Sequence, residues 1–370
     1  MHDPGSTEAL DRPAPASSHH EGNSTRILLV SAMYPLKKSK HTSAEYAYWL
    51  SKFLQPITTE IYFFTTPEFA HVVREVRGTE HPITIDTTYP SPFDTPPLKG
   101  LEQKYVEMHE LDREKWLHSP ELYAVWNAKP YFLNLAVENL AKQGKVFDYA
   151  FWNDAGSFRQ EHTYKTWPDP RRVDQIWKTG SELVGRPAED LLFIPITHLP
   201  ARKMRSWSEE MGPVDYEVSE GSFFGGSPKT IAWWAKVYYV YHDYYISLGL
   251  FVGKDQTLMN AIFFLYPDRF ITVFYKDPDA AAHQGIVPVL DSGYLGACGN
   301  DWWYYQFWLA DRATRDQMRE IWLNRTSWGN WEWWRNRQRC RLTGVEALKD
   351  IFKKHFGASW EPPKHTLGVD

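Results

Sequence analysis

The sequence is poor in cysteine and has no apolar run long enough to cross a membrane. Its 370 residues include only two cysteines, Cys298 and Cys340, which lack the spacing of a metal site or a redox pair. They either form one disulfide or remain as two free thiols. The apolar segment 27–34 is far shorter than the roughly 20 residues that a spanning helix needs. We therefore expect neither a cysteine metal centre nor a membrane span in this chain.

The chain also has no excess of positive charge. Its 41 lysines and arginines are outnumbered by 46 aspartates and glutamates, which gives a formal net charge of −5. A nucleic-acid binder typically shows a basic patch or stripe. A nucleic-acid partner is therefore not expected.

Several catalytic signatures are missing as well. No histidines have the H-x-x-x-H or H-x-H spacing, which argues against a zinc hydrolase. There is no G-x-S-x-G, no P-loop, and no G-x-G-x-x-G after the first predicted strand. These absences argue against serine hydrolases, P-loop kinases and typical dinucleotide dehydrogenases.

Aromatic residues, by contrast, are abundant. The chain holds 18 Trp, 21 Tyr and 20 Phe, together 16% of its residues, with clusters at 233–245, 302–308 and 331–334. Large aromatic side chains are mostly buried in cores, but their flat faces also suit sugar rings in ligand pockets. Both interpretations stay open.

Strand-like apolar runs alternate with segments of helical periodicity along most of the chain. The predicted strands are residues 26–32, 60–65, 83–86, 147–152, 190–196, 217–224 and 270–274. The predicted helices include residues 44–54, 67–77, 101–116, 120–142 and 256–266. Ser43 is the predicted N-cap of the first helix, and Pro130 is predicted to interrupt the fourth. The alternation predicts an α/β fold with a mostly parallel central sheet and helices on both faces.

The composition divides the chain into three parts. Residues 1–25 are rich in Pro, Ser, Ala, Gly and His and are predicted to be a disordered tail. Residues 26–300 are predicted to form one large domain. Residues 301–370 are predicted to be an aromatic-rich helical region that packs on the same domain.

Asp154 is the first candidate for chemistry. It follows the predicted strand 147–152 within the sequence F-W-N-D-A-G. Because ligands of open α/β sheets bind beyond the carboxyl ends of the strands, a carboxylate here can hold a substrate or a hydrated metal ion. The same N-D-A-G sequence also suits a turn, so a carboxylate that only caps the turn is the alternative.

Three further segments carry candidate site residues. Lys129 can meet a phosphate as a point charge, or it is an ordinary solvated lysine of a helix. Gly225 and Gly226 allow close approach of a ligand at the start of a helix, or they merely precede the cap of that helix. Asp255, beside Gln256, can act as a general base or bind a sugar hydroxyl, or it is itself a helix N-cap.

Four short motifs occur in a distinctive order. They are W-N-A-K-P at residues 126–130, F-W-N-D-A-G at 151–156, G-S-F-F-G-G-S at 221–227 and V-G-K-D-Q-T-L-M-N at 252–260. Together they resemble the HtrL/YibB family, a set of glycosyltransferase-like proteins related to the GT-A nucleotide-sugar transferases. The resemblance covers residues 27–274, fades in the aromatic C-terminal third, and implies a GT-A-like fold.

The resemblance also implies roles for individual residues. Asp154 takes the place of the acidic motif that holds a divalent metal, Mn²⁺ or Mg²⁺, and the diphosphate in GT-A enzymes. N-D-A-G departs from a full D-x-D, since Asn153 and Asp154 supply one carboxylate where many relatives supply two. Lys129 approaches the nucleotide phosphates, and Asp255 lies near the reacting carbon as a base or a donor-sugar contact. The remaining substrate-binding residues that the resemblance implies are Trp126, Asn153, Gly225, Gly226 and Gln256.

The implied function is a glycosyltransferase that moves a sugar from a nucleotide-sugar donor to a hydroxyl of a glycan, glycolipid or protein acceptor, with Asp255 and Asp154 as catalytic residues. The alternatives are a non-catalytic nucleotide- or carbohydrate-binding protein of the same fold and a sugar-phosphate hydrolase. Without a signal or an anchor in the sequence, the cytoplasm is the expected location. The Golgi lumen is the alternative if an N-terminal anchor has been lost, and the sequon at Asn324 is compatible with it.

Overall fold

The structure is a computed structural model that describes residues 25–36, 38, 41–277, 298–325 and 340–369. The predicted tail up to residue 24 lies outside these residues, and so do the clustered tryptophans of segment 331–334.

One sheet of eight strands forms the centre of the described chain, in the order β3-β2-β1-β4-β6-β5-β7-β8. The strands are β1 (Ile27–Met33), β2 (Glu60–Thr65), β3 (Ile83–Asp86), β4 (Tyr149–Asn153), β5 (Leu192–Phe193), β6 (Phe223–Gly226), β7 (Phe270–Thr272) and β8 (Glu346–Ala347). Strand β6 pairs antiparallel with β4 and β5, and β8 pairs antiparallel with β7. The other pairings are parallel. Six strands therefore share one direction, and the sheet is mixed but mostly parallel.

Helices cover both faces of this sheet. They are α1 (Ser43–Leu54), α2 (Ala70–Arg77), α3 (Glu102–His109), α4 (Pro120–Lys142), α5 (Pro170–Val184), α6 (Pro228–Ser247), α7 (Asp255–Leu265), α8 (Tyr304–Trp308), α9 (Arg312–Arg325) and α10 (Leu348–Phe356). Leu28 and Val30 of β1 belong to an apolar cluster with α4, α6, α7 and α10. Ile27 and Leu29 belong to a second cluster with α1, α2, α5, α8 and α9. The predicted α/β fold with two covered faces is confirmed.

The helices of the described residues include none that is both long and apolar enough to span a bilayer.

Helix α1 begins one residue earlier than predicted. Thr42, and not Ser43, is its N-cap: the Thr42 hydroxyl accepts the Glu45 N–H at 3.2 Å, and the Glu45 carboxylate accepts the Thr42 N–H at 2.9 Å. This reciprocal arrangement is a capping box, and it satisfies two helix-end donors at once. It also keeps the Glu45 carboxylate on its own helix.

Several other predicted elements are shorter in the structure. The helix 67–77 and the strands 190–196 and 270–274 are reduced to α2, β5 and β7, and two further elements change more. The predicted helix 101–116 ends early, as α3, because the Asp112 carboxylate accepts the Glu114 N–H at 2.9 Å and forms a local turn. The predicted strand 217–224 is largely wrong, since pairing with β4 starts only at Phe223. Before that point the backbone binds elsewhere: the Ser219 N–H, for example, donates to the Asn260 side chain at 3.1 Å.

Gly225 and Gly226 lie inside the sheet, where β6 passes between β4 and β5. A Cβ on Gly225 would lie 2.1 Å from the Ala150 oxygen, and one on Gly226 would lie 2.8 Å from the Leu191 oxygen. Both distances are too short for any side chain, so these positions accept only glycine. The lack of a side chain at these two positions therefore allows β6 to pack between β4 and β5.

Helix α4 runs without a break through Pro130, contrary to the predicted interruption. A proline in a helix loses one backbone donor and pushes the chain away from the preceding turn. The Tyr239 hydroxyl of α6 bridges the opened turn, because it accepts the Tyr131 N–H at 3.1 Å and donates to the Asn127 carbonyl at 2.7 Å. A side chain inserted in this way is a recognised cause of local helix distortion. It fixes the turn of α4 that carries Lys129.

The C-terminal part adds a strand as well as helices. Strand β8 extends the sheet, and the Trp308 ring of α8 stacks on Phe193 of β5 with 5.6 Å between ring centres. Cys298 and Cys340 form a disulfide with a Cα–Cα distance of 5.1 Å, which is ordinary for such a bond. Of the two states that the sequence allows, the structure shows the disulfide.

Candidate functional site

Lys129, Asp154 and Asp255 meet beyond the carboxyl end of β4. The Lys129 Nζ lies 3.1 Å from Asp154 Oδ1 and 2.9 Å from Asp255 Oδ2. It also donates to the Gly221 carbonyl at 2.9 Å. Because one oxygen of each carboxylate contacts the same nitrogen, the two carboxylates are close neighbours. The ammonium group of Lys129 thus contacts both carboxylates, and the three charged residues that the sequence singles out separately come together in the fold.

The backbone around each carboxylate holds it in place. The Asp154 N–H donates to the Ser222 carbonyl at 2.8 Å, and the Trp152 indole N–H donates to Asp154 Oδ1 at 2.6 Å. Asp255 is the first residue of α7, and its Oδ1 accepts the Gln256 N–H at 2.9 Å. A carboxylate at a helix N-terminus is stabilised by the helix dipole. The end of β4 and the start of α7 therefore place two carboxylates next to the side chain of one lysine.

Gly221 makes room for this meeting. A Cβ on Gly221 would lie 2.7 Å from Gln256 Cγ and 3.5 Å from Asp255 Oδ2. The Gln256 side chain donates to the Ser219 carbonyl at 2.5 Å. The segment before β6 and the start of α7 are thus in direct contact. The Gln256 side chain therefore stabilises the contact between these two segments, next to the Asp255 carboxylate.

The three charged groups differ in their access to solvent. The side chain of Asp154 is 32% exposed, whereas those of Lys129 and Asp255 are 4% and 5% exposed. Burial raises the pKa of Asp255, Lys129 lowers it and Asp154 raises it, with a net rise. Burial alone lowers the pKa of Lys129, but the two carboxylates raise that pKa above its ordinary value. Asp154 is therefore the group that a ligand meets first.

A third carboxyl group lies beneath the cluster. Glu220 is 1% exposed, and its Oε1 accepts hydrogen bonds from both the N–H and the hydroxyl of Ser222. The Tyr305 hydroxyl lies 3.1 Å from that same hydroxyl oxygen. Glu220 Oε2 has no hydrogen-bond partner among the described residues. Burial raises the pKa of Glu220 from 4.5 to about 8, with Asp154 adding to the rise.

Replacing Glu220 with glutamine is expected to flatten the dependence of stability on pH. A group whose folded pKa is raised stabilises the fold fully below its unfolded pKa and loses that contribution as the pH rises through the folded value. For Glu220 the loss falls between pH 4.5 and about 8, and one unit of pKa difference corresponds to about 1.4 kcal/mol. Urea unfolding at pH 5 and pH 9 should therefore show Glu220→Gln gaining a few kcal/mol on the unchanged chain at the higher pH.

The matched control for that experiment is Glu75→Gln, at an exposed position of α2. It should leave the difference in unfolding free energy between the two pH values unchanged. Equal pH dependence of Glu220→Gln and the unchanged chain would contradict a neutral, buried Glu220.

Among the described residues, the four remaining residues implied by the resemblance form no hydrogen bond with the side chains of Lys129, Asp154 or Asp255. Asn153 is fully buried, and its side chain binds within the turn, to the Ser157 hydroxyl at 3.2 Å and the Asp154 carbonyl at 3.1 Å. The Trp126 ring packs edge-on against His118, with 5.1 Å between ring centres. Gly225 and Gly226 lie inside the sheet.

Sequence reasoning missed Glu220, Gly221, Ser222 and Tyr305. The first three directly precede the F-F-G-G segment, where a glutamate and two small residues adjoin an apolar run. An acidic residue next to a buried strand was the available signal. Tyr305 comes from the C-terminal part, far along the chain, and nothing in its local sequence connects it to this site.

A second cluster could hold a metal ion. Ligand atoms of Asp112, Glu114 and His118 lie within 4.8 Å of one another. Their present partners compete for that role: His118 Nδ1 and the Tyr123 hydroxyl both lie 2.6 Å from Asp112 Oδ2, and Lys254 pairs with Glu114. Lys254 directly precedes Asp255, so this cluster adjoins the carboxylate site.

A comparison of the chain with models of protein families finds no match, and a comparison with curated protein sequences finds none either.

Proposed function

We propose that this chain belongs to the HtrL/YibB-like group and is a GT-A-type glycosyltransferase, which moves a sugar from a nucleotide donor to a hydroxyl acceptor. The observation that carries the proposal is the meeting of Asp154 and Asp255 on Lys129 beyond the end of β4. Carboxylates at this edge of an open α/β sheet lie where ligands of such folds bind. The order of the four sequence motifs supplies the substrate class.

The residues present suit an oxygen-ligand cation such as Mn²⁺ or Mg²⁺. Asp154 is partly exposed, and Glu220, whose pKa the charge of Asp154 helps to raise, has one oxygen, Oε2, without a hydrogen-bond partner among the described residues. Hard divalent cations prefer carboxylate oxygens. Asp154 would hold the ion. Such an ion supplies positive charge for the leaving diphosphate.

The protein's own groups have separate tasks in this proposal. Lys129 holds the two carboxylates close together, since Asp154 Oδ1 lies 3.1 Å and Asp255 Oδ2 lies 2.9 Å from its Nζ. Asp255, whose pKa burial raises above its ordinary value, is the proposed proton acceptor. In an inverting reaction its carboxylate takes the proton of the acceptor hydroxyl. In a retaining reaction its negative charge stabilises the cationic sugar.

Thermal unfolding of the full chain with nucleoside diphosphates and nucleotide sugars, with and without Mn²⁺, tests this proposal. A ligand that binds only the folded state raises its stability, by about 2.7 kcal/mol at a hundredfold excess over the Kd. We expect a metal-dependent shift with one class of nucleotide, and its loss in Asp154→Ala. Asp350→Ala, at an exposed position of α10, is the control and should keep the shift. A flat response to the whole panel would refute the proposal.

A non-catalytic binding protein of the same fold is the second candidate. The near-complete burial of Asp255, at 5% exposure of its side chain, favours it, because a base must reach its substrate. Donor binding without consumption of the donor, across a broad panel of acceptors, would support the binding role. Consumption of the donor without any acceptor would instead indicate a hydrolase.

The disulfide between Cys298 and Cys340 supports a location inside the secretory pathway. Disulfides persist mainly in oxidising compartments and are rare in the cytosol. We therefore favour the lumenal alternative over the cytoplasm for this chain.

A further inference from the structure

Arg159 is an exposed arginine five residues after Asp154, and its side chain contacts two indole rings and a backbone carbonyl. Its guanidinium lies over the ring of Trp49, 4.3 Å from the ring centre, and 5.2 Å from the ring centre of Trp303. Its Nε donates to the Gly156 carbonyl at 3.1 Å. Two indoles and one backbone carbonyl therefore fix the plane of the guanidinium.

This arrangement is tied directly to Asp154. The Ser157 N–H donates to the Asp154 carbonyl at 3.0 Å, so a tight turn joins the carboxylate to Gly156. A Cβ on Gly156 would lie 3.3 Å from the Trp49 ring, which shows how closely the turn packs on the indole. The turn that presents Asp154 thus also presents Arg159.

The outer part of the guanidinium is available for binding. No hydrogen bond or ion pair of the two Nη groups occurs among the described residues. Glu45 is near enough for Arg159 to contribute slightly to its lowered pKa, but hydrogen bonds from Thr42 are the main cause. The Glu45 carboxylate is thus occupied within its capping box. Two Nη groups in a fixed plane are preorganised for bidentate binding of an anion.

Lys129 is poorly suited to that task. Its ammonium already binds Asp154, Asp255 and the Gly221 carbonyl, and its side chain is 4% exposed. A phosphate would have to displace two carboxylates to reach it. Arg159, by contrast, is exposed and follows shortly after the turn that begins at Asp154.

We propose that Arg159, clamped between Trp49 and Trp303, binds a phosphate group of the ligand at the Asp154 site. The identification of this ligand as a diphosphate donor rests on the proposed function; the anion-binding role of Arg159 rests on the geometry. The guanidinium donates two hydrogen bonds to phosphate oxygens, and its charge balances the anion. No bond is made or broken by this residue.

Calorimetric titration of the full chain with inorganic pyrophosphate at low salt tests the assignment. Arg159→Ala is expected to weaken pyrophosphate binding by about tenfold or more, the usual effect of losing a charge-assisted pair. Arg159→Lys keeps a cation but loses the planar fork, so it should recover only part of the affinity. Arg74→Ala, which removes an exposed arginine from the last turn of α2, is the control and should bind as the unchanged chain does.

The outcomes of this titration bear separately on the anion site and on the proposed function. Equal pyrophosphate affinity in Arg159→Lys, Arg159→Ala and the unchanged chain would overturn the assignment, and so would an unchanged chain that binds no pyrophosphate. If Arg159→Ala fails to fold, the Arg159→Lys titration decides. Arg159-dependent binding of pyrophosphate without binding of any nucleotide would contradict the proposed function while leaving the anion site intact. Nucleotide binding that does not depend on Arg159 would agree with the proposed function and contradict the anion site.

Discussion

Replacing Lys129 with methionine is expected to lower the free energy of unfolding by about 3 to 5 kcal/mol at neutral pH. Methionine keeps the length and the apolar stem of the side chain but removes the ammonium. Asp255, whose side chain is 5% exposed, then remains as a buried carboxylate without its counter-charge. Removing one partner of a buried ion pair costs far more than the pair itself contributes, because the remaining charge is left desolvated. Urea unfolding of the full chain measures this loss.

The loss should depend on pH. The pKa of Asp255 is already raised in the fold, and removal of Lys129 raises it further. A raised folded pKa means that stability is greatest below the unfolded pKa of about 3.9 and declines as the pH rises through the folded value. The deficit of Lys129→Met should therefore be small in acid and grow toward neutrality. Equal stability of the variant and the unchanged chain at pH 7 would contradict the ion-paired cluster.

Two controls make this result specific. Lys145→Met removes a half-exposed lysine that pairs with Glu60 at 2.9 Å, and surface pairs of this kind contribute about 1 kcal/mol or less. The double variant Lys129→Met with Asp255→Asn removes the buried negative charge as well. It should recover part of the stability that Lys129→Met loses, since contacting residues are not additive.

The sequence predicts local elements well where their cause is local. The predicted strands 60–65 and 83–86 have the bounds of β2 and β3, and the predicted helix 120–142 has those of α4. Short apolar runs and the proline at the start of α4 are signals that a few residues carry. The predicted interruption at Pro130 was wrong, because the group that bridges the opened turn, the Tyr239 hydroxyl, comes from the remote helix α6.

The candidate site divides in the same manner. Asp154, Lys129 and Asp255 could be selected from short motifs, because Asp154 follows the end of β4, Asp255 begins α7, and Lys129 precedes the unusual proline inside α4. Their contact, and the carboxyl group of Glu220 beneath them, could not be predicted, since both depend on the distance between segments remote in sequence. Gly225 and Gly226 show the opposite case. A pair of glycines suits either a ligand or a neighbouring strand, and only the positions of the Ala150 and Leu191 oxygens show that strand packing needs them.

Under the proposed function, replacing Asp255 with asparagine is expected to reduce the kcat of sugar transfer by about 10²- to 10⁴-fold, the usual contribution of a general base. The amide keeps the shape of the carboxylate and its bond to the Gln256 N–H, but it neither accepts a proton nor carries the charge that stabilises a cationic sugar. Binding of the donor should change little, because Asp154 remains in place. Turnover of the donor in the presence of acceptor, measured together with the donor Kd, separates these two effects.

The control for Asp255→Asn is Asp350→Asn, because both aspartates lie in the first turn of a helix but only Asp255 is buried. A general cost of losing a helix-terminal charge would affect both variants, whereas a catalytic role affects Asp255→Asn alone. A kcat that survives in Asp255→Asn but falls in Asp154→Asn would transfer the role of base to the exposed carboxylate. That result would agree with the exposure of the two side chains, 32% against 5%, and would make Asp255 a residue that positions Lys129. Kinetics of this one pair of aspartates therefore decides whether the buried or the exposed carboxylate performs the chemistry.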